Sequence, residues 1–373
     1  MCALMPMNRL SLLTGNGGRW PIVWNSWCRL NAIFTSMLPT NLRIWPHAGE
    51  HMAEPTLPVI DFGAFSDGTD EFRRKTADQV DHACRESGFF YLANHGIATD
   101  IIADAFDAAA QFFALPQAEK KRIAIENSPC HRGWFALGGE ALDHRAHPEG
   151  DYKEGIKIGQ DLGADHPRVK AGLALHGPNQ WPDIEGWQPT MQRYFGACET
   201  LSRQLMQAFA LALGLERQFF DAWLKLPMAT LGPLYYPPVP TDARARISAG
   251  AHTDFGCLTL LAQQHIGGLQ ILTRDDEWHD VPPRENMLVV NIGDMLARWT
   301  NDRYASTRHR VVNKSNEARL SLAFFFDPDP DVDLSPLPGC LSPGGKPKYL
   351  PATSLSHLID KIGESFSYRD ETE

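Results

Sequence analysis

Three side chains able to hold a divalent metal fall in one β-rich stretch of this 373-residue chain: His252 and Asp254 in "AGAHTDFG", and His309 in "STRHRVVN". In extended backbone, residues i and i+2 face the same side, so His252 and Asp254 can converge on one point. Two neutral imidazoles and one carboxylate on one face form the ligand set of non-haem iron(II) oxygenases, so a second histidine is required. The chain has 14 histidines. His265 precedes a Gly-Gly turn and His279 follows Trp278 in a polar hairpin, positions that suit surface residues. His309 opens an apolar strand, a rim position from which a side chain can point into a barrel mouth.

Ten positions later, Arg319 and Ser321 repeat the i, i+2 spacing in "RLSLAFFF". A guanidinium offers a carboxylate a bidentate fork and a hydroxyl adds one donor, so this pair can hold the end of an acid. Singly, each motif also suits a capped turn or a salt-bridged strand edge. Together, on adjoining strands, they describe a metal with an acid anchor beside it. Counting on by twos puts Ala323 and Phe325 on the same face, where Phe325 can line a pocket and stack on a flat substrate. His131, Arg132, Trp134 and Lys153 lie in a loop-rich middle segment, and Arg132 and Trp134 are its candidates for substrate contact. Asp294 of "NIGDML" is read as a helix cap rather than a ligand.

The surrounding pattern supplies the elements. "LPVIDF" is a short strand, Phe72, Thr76, Val80, Ala83 and Cys84 mark an amphipathic helix, and "GFFYLANH" is a buried strand. A second helix runs from about Thr99 to Leu115, where Pro116 stops it. Residues 128–182 read as long loops with short strands. A long helix follows, with Met191, Tyr194, Cys198, Leu201, Leu205, Phe209 and Leu213 on one stripe until Gly214 ends it, and it suits a scaffold laid on a sheet. Beyond Leu226 come short strands at regular spacing, the signature of an antiparallel sandwich or barrel. A last helix spans about Thr353 to Phe366. The fold class is mainly β with flanking helices (α+β).

Composition excludes several classes. A net charge of −10 with dispersed acids gives no basic groove for nucleic acid and no attraction to an anionic membrane. No run approaches the roughly 18 to 20 apolar residues of a membrane span. Seven scattered cysteines without a C-x-x-C pair read as reduced thiols of a cytoplasmic protein. Up to His51 the chain holds four arginines, one acid and four tryptophans without periodicity. An arginine-bearing, acid-poor stretch suits a transit peptide, but it lacks an amphipathic stripe and the compact apolar core of a secretory signal; the reading preferred is a leader outside the fold, with Met52 as the effective start.

In the order of its motifs, the chain resembles the iron(II)- and 2-oxoglutarate-dependent oxygenases of the isopenicillin N synthase type, from about Leu57 to Tyr368. "LPVIDF", "GFFYLANHGI" and "FFALPQAEKK" are similar to the family's opening module. "HRGW", "GPNQWP", "YYP", "HTDFGCLTLL", "GGLQ", "VVNIGDMLARWTN", "YASTRHRVVN" and "RLSLAFFFDP" follow in family order. The resemblance implies a distorted double-stranded β-helix, a jelly-roll barrel, in residues 186–373, behind an N-terminal α/β module in 53–185 and a leader in 1–52. It implies His252, Asp254 and His309 as ligands of iron(II). Arg319 and Ser321 are then the clasp on the distal carboxylate of 2-oxoglutarate, with Tyr236 adding a hydrogen bond. Leu234 stands where many plant members carry Asn, so one polar contact there is missing or replaced.

The expected activity couples oxidative decarboxylation of 2-oxoglutarate by dioxygen to hydroxylation, desaturation or ring closure of a small organic molecule. An alternative within the fold is an oxidase that uses no 2-oxoglutarate and holds its substrate's carboxylate with Arg319 and Ser321. An alternative of another class is a non-catalytic metal-binding sensor. The expected partner is a small molecule, not nucleic acid or a membrane, and the expected state is a monomer or weak homo-oligomer.

Overall fold

A computed structural model describes residues 57–239, 246–363 and 365. The expected leader, residues 1–52, lies outside the described residues. β1 (Val59–Asp61) leads into α1 (Asp70–Glu86), where the Thr69 side chain accepts from the Phe72 N–H at 3.2 Å and caps the first turn. Asp70 and Glu71 at one end and Arg85 at the other suit the helix dipole. β2 (Phe89–Ala93), α2 (Thr99–Phe113) and a short α3 (Gln117–Lys121) follow. The loop-rich middle contributes β3 (Gly133–Phe135), β4 (Glu154–Gly159) and α4 (Pro167–Lys170). The expected scaffold helix is α5 (Trp187–Ala212), with Met191, Tyr194, Cys198, Leu201, Leu205 and Phe209 buried. Gly214 ends it with φ of 75°, which glycine adopts without strain.

Eight strands build the barrel: β5 (Met228–Tyr236), β6 (Arg246–His252), β7 (Leu258–Gln263), β8 (Leu269–Leu272), β9 (Trp278–Asp280), β10 (Met287–Ile292), β11 (His309–Asn313) and β12 (Arg319–Asp327). α6 (Asp294–Trp299) joins β10 to β11, and α7 (Ser354–Gly363) follows β12. The chain passes back and forth between two sheets, ordered β1-β2-β10-β7-β12-β5-β4-β3 and β6-β11-β8-β9. That alternation is a jelly roll, and its strand pairs are antiparallel, while β1 and β2 pair in parallel at one edge. The sheet runs across the 185/186 division: β1 and β2 extend it at one edge, β4 and β3 at the other. Trp278 to Asp280, expected as a polar hairpin, pairs with β8 as β9.

β12 separates core from cavity by simple alternation. Leu320, Leu322, Phe324 and Phe326 are buried in the main core, where Phe324 meets Phe195 of α5 edge-on at 5.0 Å. Arg319, Ser321, Ala323, Phe325 and Asp327 line a cavity on the other face. One expectation is corrected at α6. Gly293, whose backbone is extended, is the cap residue and Asp294 is already helical; a Cβ at 293 would lie 2.3 Å from Gly256 O and 2.6 Å from Asp254 O, so the position suits glycine. Asp294 is the first helical residue; its carboxylate accepts from Ser306 Oγ at 2.7 Å and pairs with Lys361 at 3.0 Å.

Among the described residues no helix is long and apolar enough to cross a membrane, and Cys84, Cys130, Cys198, Cys257 and Cys340 are free thiols. Phe324→Ala is expected to cost about 3–5 kcal/mol, the usual range for emptying a buried phenylalanine site. Phe325→Ala, which opens onto an existing cavity, is expected to cost less than half of that. The urea midpoints of the two variants check the contrast.

Candidate metal centre

His252 ends β6, Asp254 lies in the turn into β7, and His309 opens β11 opposite His252 in the β6–β11 ladder. One ligand atom from each residue lies within 4.8 Å of the others. The Nε2 atoms of His252 and His309 stand 3.8 Å and 3.6 Å from Asp254 Oδ1. The Nδ1 atoms face backbone carbonyls, Gly250 at 2.7 Å and Thr307 at 3.1 Å. A carbonyl only accepts, so each Nδ1 carries a hydrogen and each Nε2 is the atom turned to the centre, where a metal would take its lone pair. Asp254 Oδ2 accepts from Thr259 Oγ1 and from Asn291 Nδ2, both at 2.6 Å, which leaves Oδ1 for the centre.

Asp254 and His309 are buried and His252 is nearly so, and their proton affinities separate accordingly. Burial and then the adjacent His309 ring depress the His252 imidazole to about 4. Burial would raise the Asp254 carboxyl, but the two imidazoles and Thr259 outweigh it and hold the group well below the usual carboxylate range. Burial would lower His309, yet Asp254 beside it raises it instead. An ionised carboxylate and a neutral His252 are the protonation states a divalent metal needs.

The triad opens on a cavity of about 170 Å³. At one end Arg319 is 1% exposed and lies over the Tyr236 ring, 4.8 Å from its centroid. Its Nη2 donates to Gln263 Oε1 at 2.9 Å, while Nε, Nη1 and the Ser321 hydroxyl have no hydrogen-bond partner among the described residues. A buried guanidinium with two idle donors beside an idle hydroxyl fits a carboxylate ligand. Leu234, opposite Ser321 in register, puts an apolar side chain on this wall.

The middle segment forms another wall. Glu140, Lys153 and Lys157 line the cavity; Lys153 pairs with Glu140 at 2.9 Å and with Asp151, and Lys157 reaches Glu140 at 3.5 Å. Against the effect of burial, the two ammonium groups hold the Glu140 carboxyl at about 2. Asp151 Oδ1 accepts from the Gly250 N–H at 2.9 Å, tying this network to the strand that ends in His252. Arg132 also lines the cavity, with its guanidinium donating to the carbonyls of Cys130, His131 and Leu175. Phe325 lines it as well, 5.4 Å from Lys157 Nζ. Trp134 does not, which corrects its expected role as a substrate contact. It is 4% exposed in the main core, and its Nε1 donates to Glu154 Oε2 at 2.7 Å.

Sequence reasoning missed Thr259, Asn291, Glu140 and Asp151. Asn291 had left a signal: a lone amide in the apolar run "MLVVNIG" must satisfy its hydrogen bonds inside the fold. His265, the alternative ligand, is exposed and pairs with Glu317 at 3.8 Å, while His279 is half-buried beside Glu277 at 3.6 Å.

Residues 57–184 match the family model for the N-terminal part of the non-haem dioxygenase in morphine synthesis, and residues 230–328 that of the 2OG-Fe(II) oxygenase superfamily. The chain is 39% identical over 309 residues to the 2-oxoglutarate-Fe(II) type oxidoreductase hxnY of Emericella nidulans, covering 81% of this chain and 88% of that one. The chain belongs to the 2-oxoglutarate- and iron(II)-dependent oxygenases. Its structure is similar to that of a full-length Neurospora crassa protein solved in complex with alpha-KG and thymine, with a TM-score of 0.73 and 32% identity, covering 83% of this chain and 96% of that one. A 2OG-Fe(II) oxygenase family protein from Caulobacter crescentus gives a TM-score of 0.73 at 30% identity, over 83% and 99% of the two chains. An oxygenase of this family uses iron(II), 2-oxoglutarate and dioxygen, and the donors described above fit the first two.

Thr259→Val removes one of the two donors that orient Asp254 and is expected to weaken iron(II) binding about 10- to 100-fold without unfolding the chain. Iron titration alongside circular dichroism checks it.

Proposed function

We propose that His252, Asp254 and His309 hold iron(II) in this oxygenase. Arg319 and Ser321 clasp the distal carboxylate of 2-oxoglutarate beside Tyr236, and a small organic ring lies against Phe325, with Arg132 in the far wall. The observation that carries the reading is the pair of idle buried donors, Arg319 and Ser321, in the cavity onto which the three metal-type ligands converge. The Neurospora crassa relative is solved with thymine, and that supports a small planar molecule as the substrate class. The free cysteines among the described residues support a cytoplasmic setting.

Bound iron(II) supplies the redox chemistry, in which dioxygen and 2-oxoglutarate yield succinate, carbon dioxide and an oxidised substrate carbon. The chain's own residues orient and dry the site. Thr259 and Asn291 fix the rotation of Asp254, and the Gly250 and Thr307 carbonyls keep hydrogen on the outer nitrogen of each imidazole. Arg319 receives a negative charge at one end, which fixes the direction in which an oxoacid enters. Leu234, Leu261, Ala323 and Val311 keep water from the walls.

Succinate formation by iron-loaded protein tests the assignment. Arg319→Gln is expected to raise the 2-oxoglutarate KM about 100-fold, as loss of a charge-assisted fork implies, while iron content stays unchanged. His252→Ala and His309→Ala are expected to lose iron and succinate formation together. Wild-type iron content and turnover in His252→Ala would overturn the proposed ligand set.

A further inference from the structure

Most of the charged groups that line the cavity already have a partner or a role. Arg319 and Ser321 form the acid anchor, the triad forms the centre, and Glu140 is paired with Lys153 and Lys157. Asp327 belongs to none of these. It is the last residue of β12, 5% exposed, on the cavity face that carries Arg319 and Phe325. Its Oδ1 accepts from the Cys257 N–H at 2.6 Å. Among the described residues no donor meets its Oδ2, and no cation pairs with either oxygen.

The ladder registers place it. Phe325 opposes Thr259, which holds Asp254, and Asp327 lies two residues further from Arg319, about 7 Å along the strand. Across from it in register stands Met228, and Phe255, Leu358 and Ile362 also line the cavity. None of these side chains can donate a hydrogen bond. A buried carboxyl with no cation is costly until a donor reaches it. Burial, helped by the charge of Asp254, pushes this one up to about 7.

We propose that Asp327 is a substrate-recognition residue, whose free carboxyl oxygen accepts a hydrogen bond from a ring N–H of a planar nitrogen heterocycle lying against Phe325. The Phe325 ring offers a flat face two residues away on the same strand. A ring without N–H leaves the carboxyl unsatisfied, which is how a built polar site rejects an analogue. The inference rests on the oxygenase reading of the cavity.

A purely structural Asp327 would only brace the Gly256–Cys257 turn, against which it packs. Asp327→Asn separates the two roles: its amide oxygen still accepts from Cys257 N–H, but the group turned to the cavity becomes a donor. Full-length protein loaded with iron(II) and 2-oxoglutarate, kept free of oxygen, is titrated calorimetrically with thymine and with 1,3-dimethylthymine. Wild type is expected to bind thymine about tenfold or more tightly. Asp327→Asn is expected to lose that preference, with an unchanged urea midpoint. A wild type without the preference, including one that binds neither ring, overturns the proposal, as does an Asn variant that keeps it. The two-ring comparison on wild type needs no variant. Iron content and 2-oxoglutarate affinity on the same samples report the triad and Arg319 assignments independently of ring preference.

Discussion

Asp254 carries an ionised carboxylate out of water into a site where it is 8% exposed. Taking such an ion from water costs several kcal/mol even after relaxation, so it is stable only where donors and positive charge surround it. The fold answers from four strands at once. Thr259 of β7 and Asn291 of β10 occupy one oxygen, while His252 of β6 and His309 of β11 face the other. The backbone of the same turn is pinned too: the Asp294 N–H donates to Asp254 O at 2.8 Å, and His357 Nε2 of α7 lies 2.9 Å from Phe255 O. Both sheets, α6 and α7 therefore meet at one charged turn.

The second organising feature is β12, whose alternation lets one strand serve two environments. Its apolar residues lock into α5, and this rigid packing fixes the reach of Arg319, Ser321 and Phe325 on the opposite face. Desolvation lowers the proton affinity of Arg319, yet a guanidinium starts so high that it stays charged at neutral pH. A buried, charged group with idle donors gains more from a carboxylate ligand than an exposed one does, because its desolvation is already complete.

The middle segment looks irregular in sequence because its order comes from elsewhere. β4 pairs with β5, β3 pairs with β4, and the Lys153 network is held by acids on both sides of a loop. Trp134 and Arg132 illustrate the difficulty. Two positions apart at the start of a short strand, they have the same parity; one indole turns into the core to meet Glu154 while the guanidinium beside the cavity is tied down by carbonyls.

Periodicity, turn residues and motif spacing by themselves determined the longer helices, nearly every barrel strand, the faces of β12, and the candidates His252, Asp254, His309, Arg319 and Ser321, but not the short α3 and α4. These features depend on local backbone geometry, which a single segment encodes. What only the tertiary structure decided lies between segments. Thr259 and Asn291 became the keepers of Asp254, Gly293 took the cap from Asp294, Trp134 entered the core, and Asp327 was left facing the cavity with no cation partner among the described residues. Each outcome depends on how strands distant in sequence register against one another, and on which buried polar groups then find partners.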